Sequence, residues 1–234
     1  MTDSSDHDDA HDDAHAGDDD GGGHAHGHRH RGGADGQQPG HPHSVTGRVG
    51  NAVRLVFGRG PMATVVADVA RLTPADTVVD IGCGPGTAVR VASRRCEQAT
   101  GVDPDATSLR LARWLTTLQH RRNVVIVEGS AEAIPLPDAS ATVVWSITAV
   151  HHWADRAAGL AEARRVLVPG GRVFLVERLS PPDARGHERF GLTEEQLDKL
   201  ERDAVHAGFD AVRRELHATR RDTIAVVRGS KPAA

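Results

Sequence analysis

Between Thr77 and Val176 five short apolar runs recur: Thr77 to Ile81, Ala99 to Val102, Asn123 to Val127, Ala141 to Ile147 and Arg172 to Val176. Three of the gaps between them carry helical spacing. Thr87 to Arg95 is one. Asp105 to His120, with Leu109, Ala112, Leu115 and Leu118, is the second. Asp155 to Leu167, with Leu160, Ala163, Val166 and Leu167, is the third. Runs this short and this uniformly apolar are strands buried on both faces. Their alternation with helices calls for a parallel sheet covered on both sides, a doubly wound α/β architecture. The chain before and after extends the pattern. Pro61 opens a helix through Met62, Val65, Val66, Val69 and Leu72. Thr193 to Ala207 is a helix whose Thr193 and Gln196 make a capping box. Two final strands, near Ala211 to Ala218 and Asp222 to Val227, are close enough to form an antiparallel hairpin.

Composition divides the chain. Residues 1 to 43 hold ten Asp against two Arg, a balance of −8, and nine of the fifteen His. They contain no Leu, Ile, Val, Phe or Trp, so nothing there offsets the entropy of ordering the backbone; the segment reads as a disordered tail, with one domain over 44 to 234. Because the whole chain carries −4, the body carries +4, which excludes a uniformly basic nucleic-acid binder. In the tail His24, His26, His28 and His30 alternate. An extended chain would put their imidazoles on one side, where they could take Ni, Zn or Cu. The bland reading is a solvated polar tail; the sharper one is a metal-handling protein on an enzyme-like scaffold. Two cysteines, Cys83 and Cys96, make no disulfide framework and fit a reducing compartment. No apolar run is long enough for a membrane helix, and the acidic first residues are unlike a signal peptide, so the expected location is the cytoplasm, with no membrane partner.

The turn after the first strand is rich in glycine: Gly82-Cys83-Gly84-Pro85-Gly86. In an open α/β sheet, ligands bind outside the carboxyl ends of the strands, and glycines let backbone approach them closely. Two carboxylates flank this place. Asp80 ends strand one, where it would repel a pyrophosphate and favour a cation, unless it caps the following turn. Asp103 ends strand two, where a carboxylate can accept from both hydroxyls of a ribose. Together they describe a ligand with a ribose and a positive charge. A nicotinamide-dependent dehydrogenase is the weaker alternative, because the glycines fall as G-x-G-x-G and Asp80 stands where pyrophosphate would lie.

These residues carry a family resemblance. Val78-Val79-Asp80-Ile81-Gly82-Cys83-Gly84-Pro85-Gly86-Thr87 resembles the first motif of class I S-adenosylmethionine-dependent methyltransferases, and Gly101-Val102-Asp103-Pro104 resembles the second. The run from Glu128 to Asp138 is similar to the adenine-contacting loop of the small-molecule branch. Val144 to Ile147 followed by Ala149-Val150-His151-His152-Trp153 resembles the motif after strand four, and Leu167-Val168-Pro169-Gly170-Gly171 the turn before strand five. The resemblance implies a Rossmann-like seven-stranded sheet, mostly parallel with one antiparallel strand, and S-adenosylmethionine as cofactor. It implies that Asp80, Gly82, Cys83 and Gly84 line the methionine part of the cofactor, with Gly86 also a cofactor-binding residue of the turn. Asp103 would hold the ribose with Pro104 beside the adenine, Ser130 and Ala131 would meet the adenine edge, and Ser146 would lie near the sulfonium. Many relatives carry Asp where this chain has Ser130, a weaker, neutral acceptor.

Methyl transfer is an in-line displacement whose leaving group is neutral, so alignment does most of the work. A base is needed when the acceptor is a hydroxyl, an acidic carbon or a protonated amine. His151 and His152 follow strand four at the carboxyl end and are the candidate bases; a polar turn that shapes the pocket is the plainer role. Leu179 to Leu192 and Ser44 to Gly60 are the segments that could cover the cleft. Both are short, and only seven aromatic residues are present, so a small organic acceptor fits better than a protein or nucleic acid. Trp145 and Trp153 read as packing residues, and Cys83 as a small turn residue. The arginine pairs Arg94–Arg95, Arg121–Arg122 and Arg164–Arg165 read as solvated.

Overall fold

In the computed structural model, residues 60–181, 191–219 and 223–233 are described. The tail histidines, Ser44 to Arg59 and the middle of the Leu179 to Leu192 segment lie outside them. Helix α1 is Gly60–Val69, β1 Thr77–Ile81, α2 Thr87–Ala92, β2 Gln98–Asp103, α3 Ala106–Leu118, β3 Val124–Glu128 and β4 Ala141–Ile147. A 3₁₀ turn, Val150–His152, leads to α4 Arg156–Val166, β5 Leu167–Arg178, α5 Glu194–His206, β6 Asp210–Ala218 and β7 Thr223–Ser230.

The seven strands form one sheet in the order β3-β2-β1-β4-β5-β7-β6. All neighbours from β3 to β5 are parallel, while β7 runs antiparallel to both β5 and β6. Strand order reverses between β1 and β4, so the ends of β1, β2 and β4 open a crevice at the switch point.

Side-chain alternation sorts the core into two layers. Val78, Val143, Trp145, Phe174 and Val176 pack with Met62, Val66, Ala88, Val89 and Leu109 of α1, α2 and α3. Val79, Ile81, Val144, Val173 and Leu175 pack with Leu160, Ala163, Leu197 and Leu200 of α4 and α5. Trp145 is fully buried, as a packing residue should be. At the opposite end from the crevice Asp76 ties the layers. It accepts from Thr73 N–H (2.8 Å), Thr142 Oγ1 (2.7 Å) and Arg172 Nη2 (2.6 Å). Burial alone would raise its pKa. The hydrogen bonds from Thr73, Thr142 and Arg172, with the Arg172 charge, outweigh that and hold it below the usual carboxylate range.

Most element bounds differ from the sequence reading by a few residues, and two of the differences have a local cause. Helix α2 stops at Ala92 instead of Arg95, because Arg94 and Arg95 N–H bond three residues back, to Val91 and Ala92 carbonyls, and tighten the end into a turn. Strand β5 begins at Leu167 instead of Arg172. The Pro-Gly-Gly stretch is laddered to the chain after β7, with Gly170 N–H on Lys231 O (3.0 Å) and Lys231 N–H on Gly171 O (2.8 Å).

Candidate active site

The glycine turn is built by close approach. Gly82, Gly84 and Gly86 all have positive φ, at 72°, 53° and 73°. A Cβ on Gly82 would stand 2.5 Å from Ala149 Cβ, so the turn after β1 and the turn after β4 touch only because residue 82 is glycine. The amides of the turn face inward. Gly82 and Cys83 N–H donate to Val102 O (2.8 and 3.1 Å), Gly86 N–H donates to Cys83 O (3.0 Å), and Gly84 N–H donates to Asp103 Oδ2 (2.7 Å). A loop that cradles pyrophosphate turns its N–H groups outward. Here they are spent on the protein, and Asp80 is buried in the adjoining strand.

Asp103 is half-buried at the end of β2. Its Oδ1 accepts from Asp105 N–H at 2.9 Å, and its Oδ2 from Gly84. Two lone-pair positions of the carboxylate remain, enough for a diol. Pro104 beside it is exposed. Asp105 caps α3 through Thr107 and Ser108 N–H, and the hydrogen bond from the Ser108 hydroxyl, followed by those from the two amides, holds it below the usual carboxylate range. Cys83 is buried and its side chain packs in the core. A Cβ on Gly101 would lie 2.8 Å from Cys83 Sγ. Ser146, near the end of β4, is fully buried, and its hydroxyl has no hydrogen-bond partner among the described residues. A buried hydroxyl of this kind calls for a polar contact from whatever fills the crevice. The residues present thus fit a cationic nucleoside: two carboxylates, inward-turned amides and an unsatisfied hydroxyl.

The loop after β3 carries Ser130 and buried Ala131. Ser130 pairs with Ala133 in a single bridge. Burial would raise the Glu132 pKa, but hydrogen bonds from Asp155 N–H, its own amide and the Ser130 hydroxyl hold it low. Ser130 is the donor in that bond, so its oxygen is still able to accept. The same loop is clamped from α4. Arg165 donates to the carbonyls of Ile134 and Leu136 (both 2.9 Å) and to Asp138 (2.7 Å) and Glu162 (2.7 Å), while Glu162 accepts from Ile134 N–H. The hydrogen bonds to Glu162 and Asp138 raise the Arg165 pKa. Arg165 is therefore not the solvated residue expected. Arg164 also departs from expectation, donating to Gly208 O at 3.1 Å, and Arg95 pairs with Asp68.

His151 and His152 lie in the 3₁₀ turn after β4, two and three residues beyond the Ala149 that abuts Gly82. Their rings are 4.0 Å apart between centroids and tilted by 47°. His152 is exposed. His151 is partly buried and bound to Glu177: its Nδ1 lies 2.9 Å from Glu177 Oε2 and its N–H donates to Oε1 at 3.3 Å. Glu177 is fully buried near the carboxyl end of β5. Sequence reasoning missed it. The available signal was one acidic residue ending an otherwise apolar strand on the side of the sheet where ligands bind. Trp153 packs on α4, where a Cβ on Gly159 would stand 2.5 Å from its ring.

Residues 79–175 match the family described as methyltransferase domain. Over that stretch the chain is similar to class I S-adenosylmethionine-dependent methyltransferases. It is 35% identical over 127 residues to 27-O-demethylrifamycin SV methyltransferase of Amycolatopsis mediterranei, covering 53% of this chain and 46% of that protein. It is likewise 35% identical over 129 residues to dimethylglycine N-methyltransferase of Parasynechococcus marenigrum, covering 53% and 43%. The methyltransferase match thus spans less than half the length of either relative. A solved S-adenosylmethionine-dependent methyltransferase from Aquifex aeolicus shares the fold with a TM-score of 0.62 at 17% identity, covering 79% of this chain and 95% of that one. Among the described residues no helix is long and apolar enough to cross a membrane, and no group of three or more His, Cys, Asp or Glu is placed to hold a metal.

Proposed function

We propose that this protein transfers a methyl group from S-adenosylmethionine to a small organic acceptor. The observation that carries the reading is the pair of carboxylates, Asp80 and Asp103, at the ends of adjacent strands around a turn whose amides face inward. When bound, the cofactor supplies a methyl group on a cationic sulfur. Asp80 offsets that charge, and the bend from Gly82 to Gly86, with the Cys83 backbone, lines the methionine part. Asp103 accepts from the ribose, Pro104 lies beside the adenine, and Ser130 and Ala131 meet its edge. Ser146 gives its buried hydroxyl to the sulfonium end. The body over 44 to 234 is one domain in this reading, and residues 1 to 43 are an appended tail.

The relatives leave the acceptor atom open, since one is named for an O-methyl transfer and the other for an N-methyl transfer. Calorimetry with S-adenosylmethionine tests the reading. The full chain should bind it, and Asp103→Ala should weaken binding at least tenfold, the worth of a charge-assisted hydrogen bond of ~1.5–3 kcal/mol. A folded chain that gives no heat with the cofactor overturns the proposal.

A further inference from the structure

Among the described residues Glu177 is an acidic side chain with no exposed surface, and both of its described hydrogen-bond partners are atoms of His151. A carboxylate taken out of water is costly to keep unless donors meet it. The backbone N–H of His151 meets one oxygen and ring Nδ1 the other. This two-point contact fixes the ring in position and in protonation pattern. An Nδ1 that donates to a carboxylate carries the proton in the neutral imidazole, which leaves Nε2 as the basic atom. The ring is 20% exposed in its side chain, so it can still be reached, and it sits two residues from the Ala149 that touches Gly82 of the cofactor turn. His152 is more exposed, with its ring tilted against that of His151.

We propose that Glu177 is a positioning residue that holds His151 as the base for a hydroxyl acceptor. The inference rests on the methyltransferase reading above and adds the acceptor class to it. In the transfer, the acceptor oxygen forms a bond to the methyl carbon as the carbon–sulfur bond breaks. The hydroxyl proton passes to His151 Nε2. One positive charge is present before and after, first on sulfur and then on the imidazolium, whose Nδ1–H faces the Glu177 carboxylate. An amine that arrives protonated would bring a second cation against the first, in a site where such repulsion is poorly screened. A hydroxyl arrives neutral and needs the base that the dyad supplies.

The test has a part that needs no turnover. Full chain labelled with ¹⁵N at histidine, with His151 assigned by its loss in His151→Gln, should show the His151 ring as the Nδ1–H tautomer near neutral pH. Glu177→Gln should release that preference. An Nε2–H tautomer in the unmodified protein overturns the proposal. Turnover is then read as S-adenosylhomocysteine formed with a panel of phenols and sugars, primary amines, thiols and β-dicarbonyl compounds. Hydroxyl compounds should be methylated. Glu177→Gln should lower kcat by about tenfold to a hundredfold and His151→Gln by ~10²–10⁴, the usual worth of a positioned base. Calorimetric affinity for S-adenosylmethionine should be the same in all three proteins. Glu177→Asp should restore part of the rate, which keeps the result readable if the Gln variant folds poorly. Methylation confined to amines, or a rate on hydroxyls untouched by either variant, overturns the assignment. A loss of cofactor binding in the unmodified chain would instead count against the methyltransferase reading.

Discussion

Gly84 N–H donates to Asp103 Oδ2 at 2.7 Å, and this bond joins the glycine turn after β1 to the end of β2. The carboxylate proposed to hold the ribose is therefore aimed by the turn proposed to hold the methionine part. A change at either residue should be felt at both. The bond is charge-assisted, which makes it stronger than an ordinary amide contact.

Asp103→Asn separates charge from shape. The amide can still accept from Gly84, but it loses the negative charge and half of its acceptor capacity. S-adenosylmethionine affinity should fall about tenfold to a hundredfold, with thermal stability changed by less than ~1.5 kcal/mol, the net worth of one hydrogen bond. Calorimetry and urea unfolding on the same samples check both halves.

Gly82→Ala should be among the most damaging small substitutions in the chain. Its φ of 72° costs an L-residue ~1–2 kcal/mol, and the new methyl would meet Ala149 Cβ at 2.5 Å, adding an overpacking cost of ~1–3 kcal/mol. Gly170→Ala is the control. It has a similar φ of 75°, but nothing lies within 4 Å of the added carbon, so only the backbone cost should appear. Urea midpoints of the two variants should differ accordingly.

The inner strands β1, β2 and β4 could be read from residue type because they are bounded by turn residues and largely buried on both faces, whereas the edge strands β3 and β6 are half-exposed. Thr77–Ile81 and Ala141–Ile147 fall where their apolar runs begin and end. Thr193 and Gln196 form the capping box their spacing predicts, because that motif is local. What could not be read depends on distant partners. Pro169-Gly170-Gly171 signals a turn in isolation, yet Lys231 makes it part of β5. Arg165 carries the same local signal as Arg122, but only the fold brings Ile134, Leu136 and Asp138 to it. In the site, Asp80, Asp103 and the glycines stood out because strand ends are where ligands bind. Glu177 did not, since its meaning lies in a histidine 26 residues earlier.

Asp76 should make the protein acid-sensitive. Its carboxyl is held below its usual range in the folded state, so its contribution is complete above the unfolded value and is lost as pH falls through the lower folded one. Glu162 and Asp203 are lowered too and add to the same loss. Unfolding free energy measured in urea should therefore drop below about pH 4. Asp76→Asn should lower stability by ~1–3 kcal/mol at pH 7, because it leaves Arg172 and Thr142 with a weaker acceptor, and should flatten the acid slope. A variant with the full slope retained would assign the acid loss to the other carboxylates.

Arg165 should control the loop that carries Ser130 and Ala131. Its guanidinium reaches two loop carbonyls and two carboxylates at once, a fork that an ammonium cannot reproduce. Arg165→Lys keeps the charge and should lose most of the clamp. Hydrogen exchange should then speed up at Ile134 N–H, which is held by the Glu162 that Arg165 positions. Exchange in β1 and β4 should stay as slow as before, because their amides are held by the sheet ladder. Affinity for S-adenosylmethionine should fall only severalfold, since the loop loses order while the contact groups on it remain. If exchange at Ile134 is unchanged in the Lys variant, the loop is held by the packing of Ile134 and Leu136 against the core and not by the guanidinium.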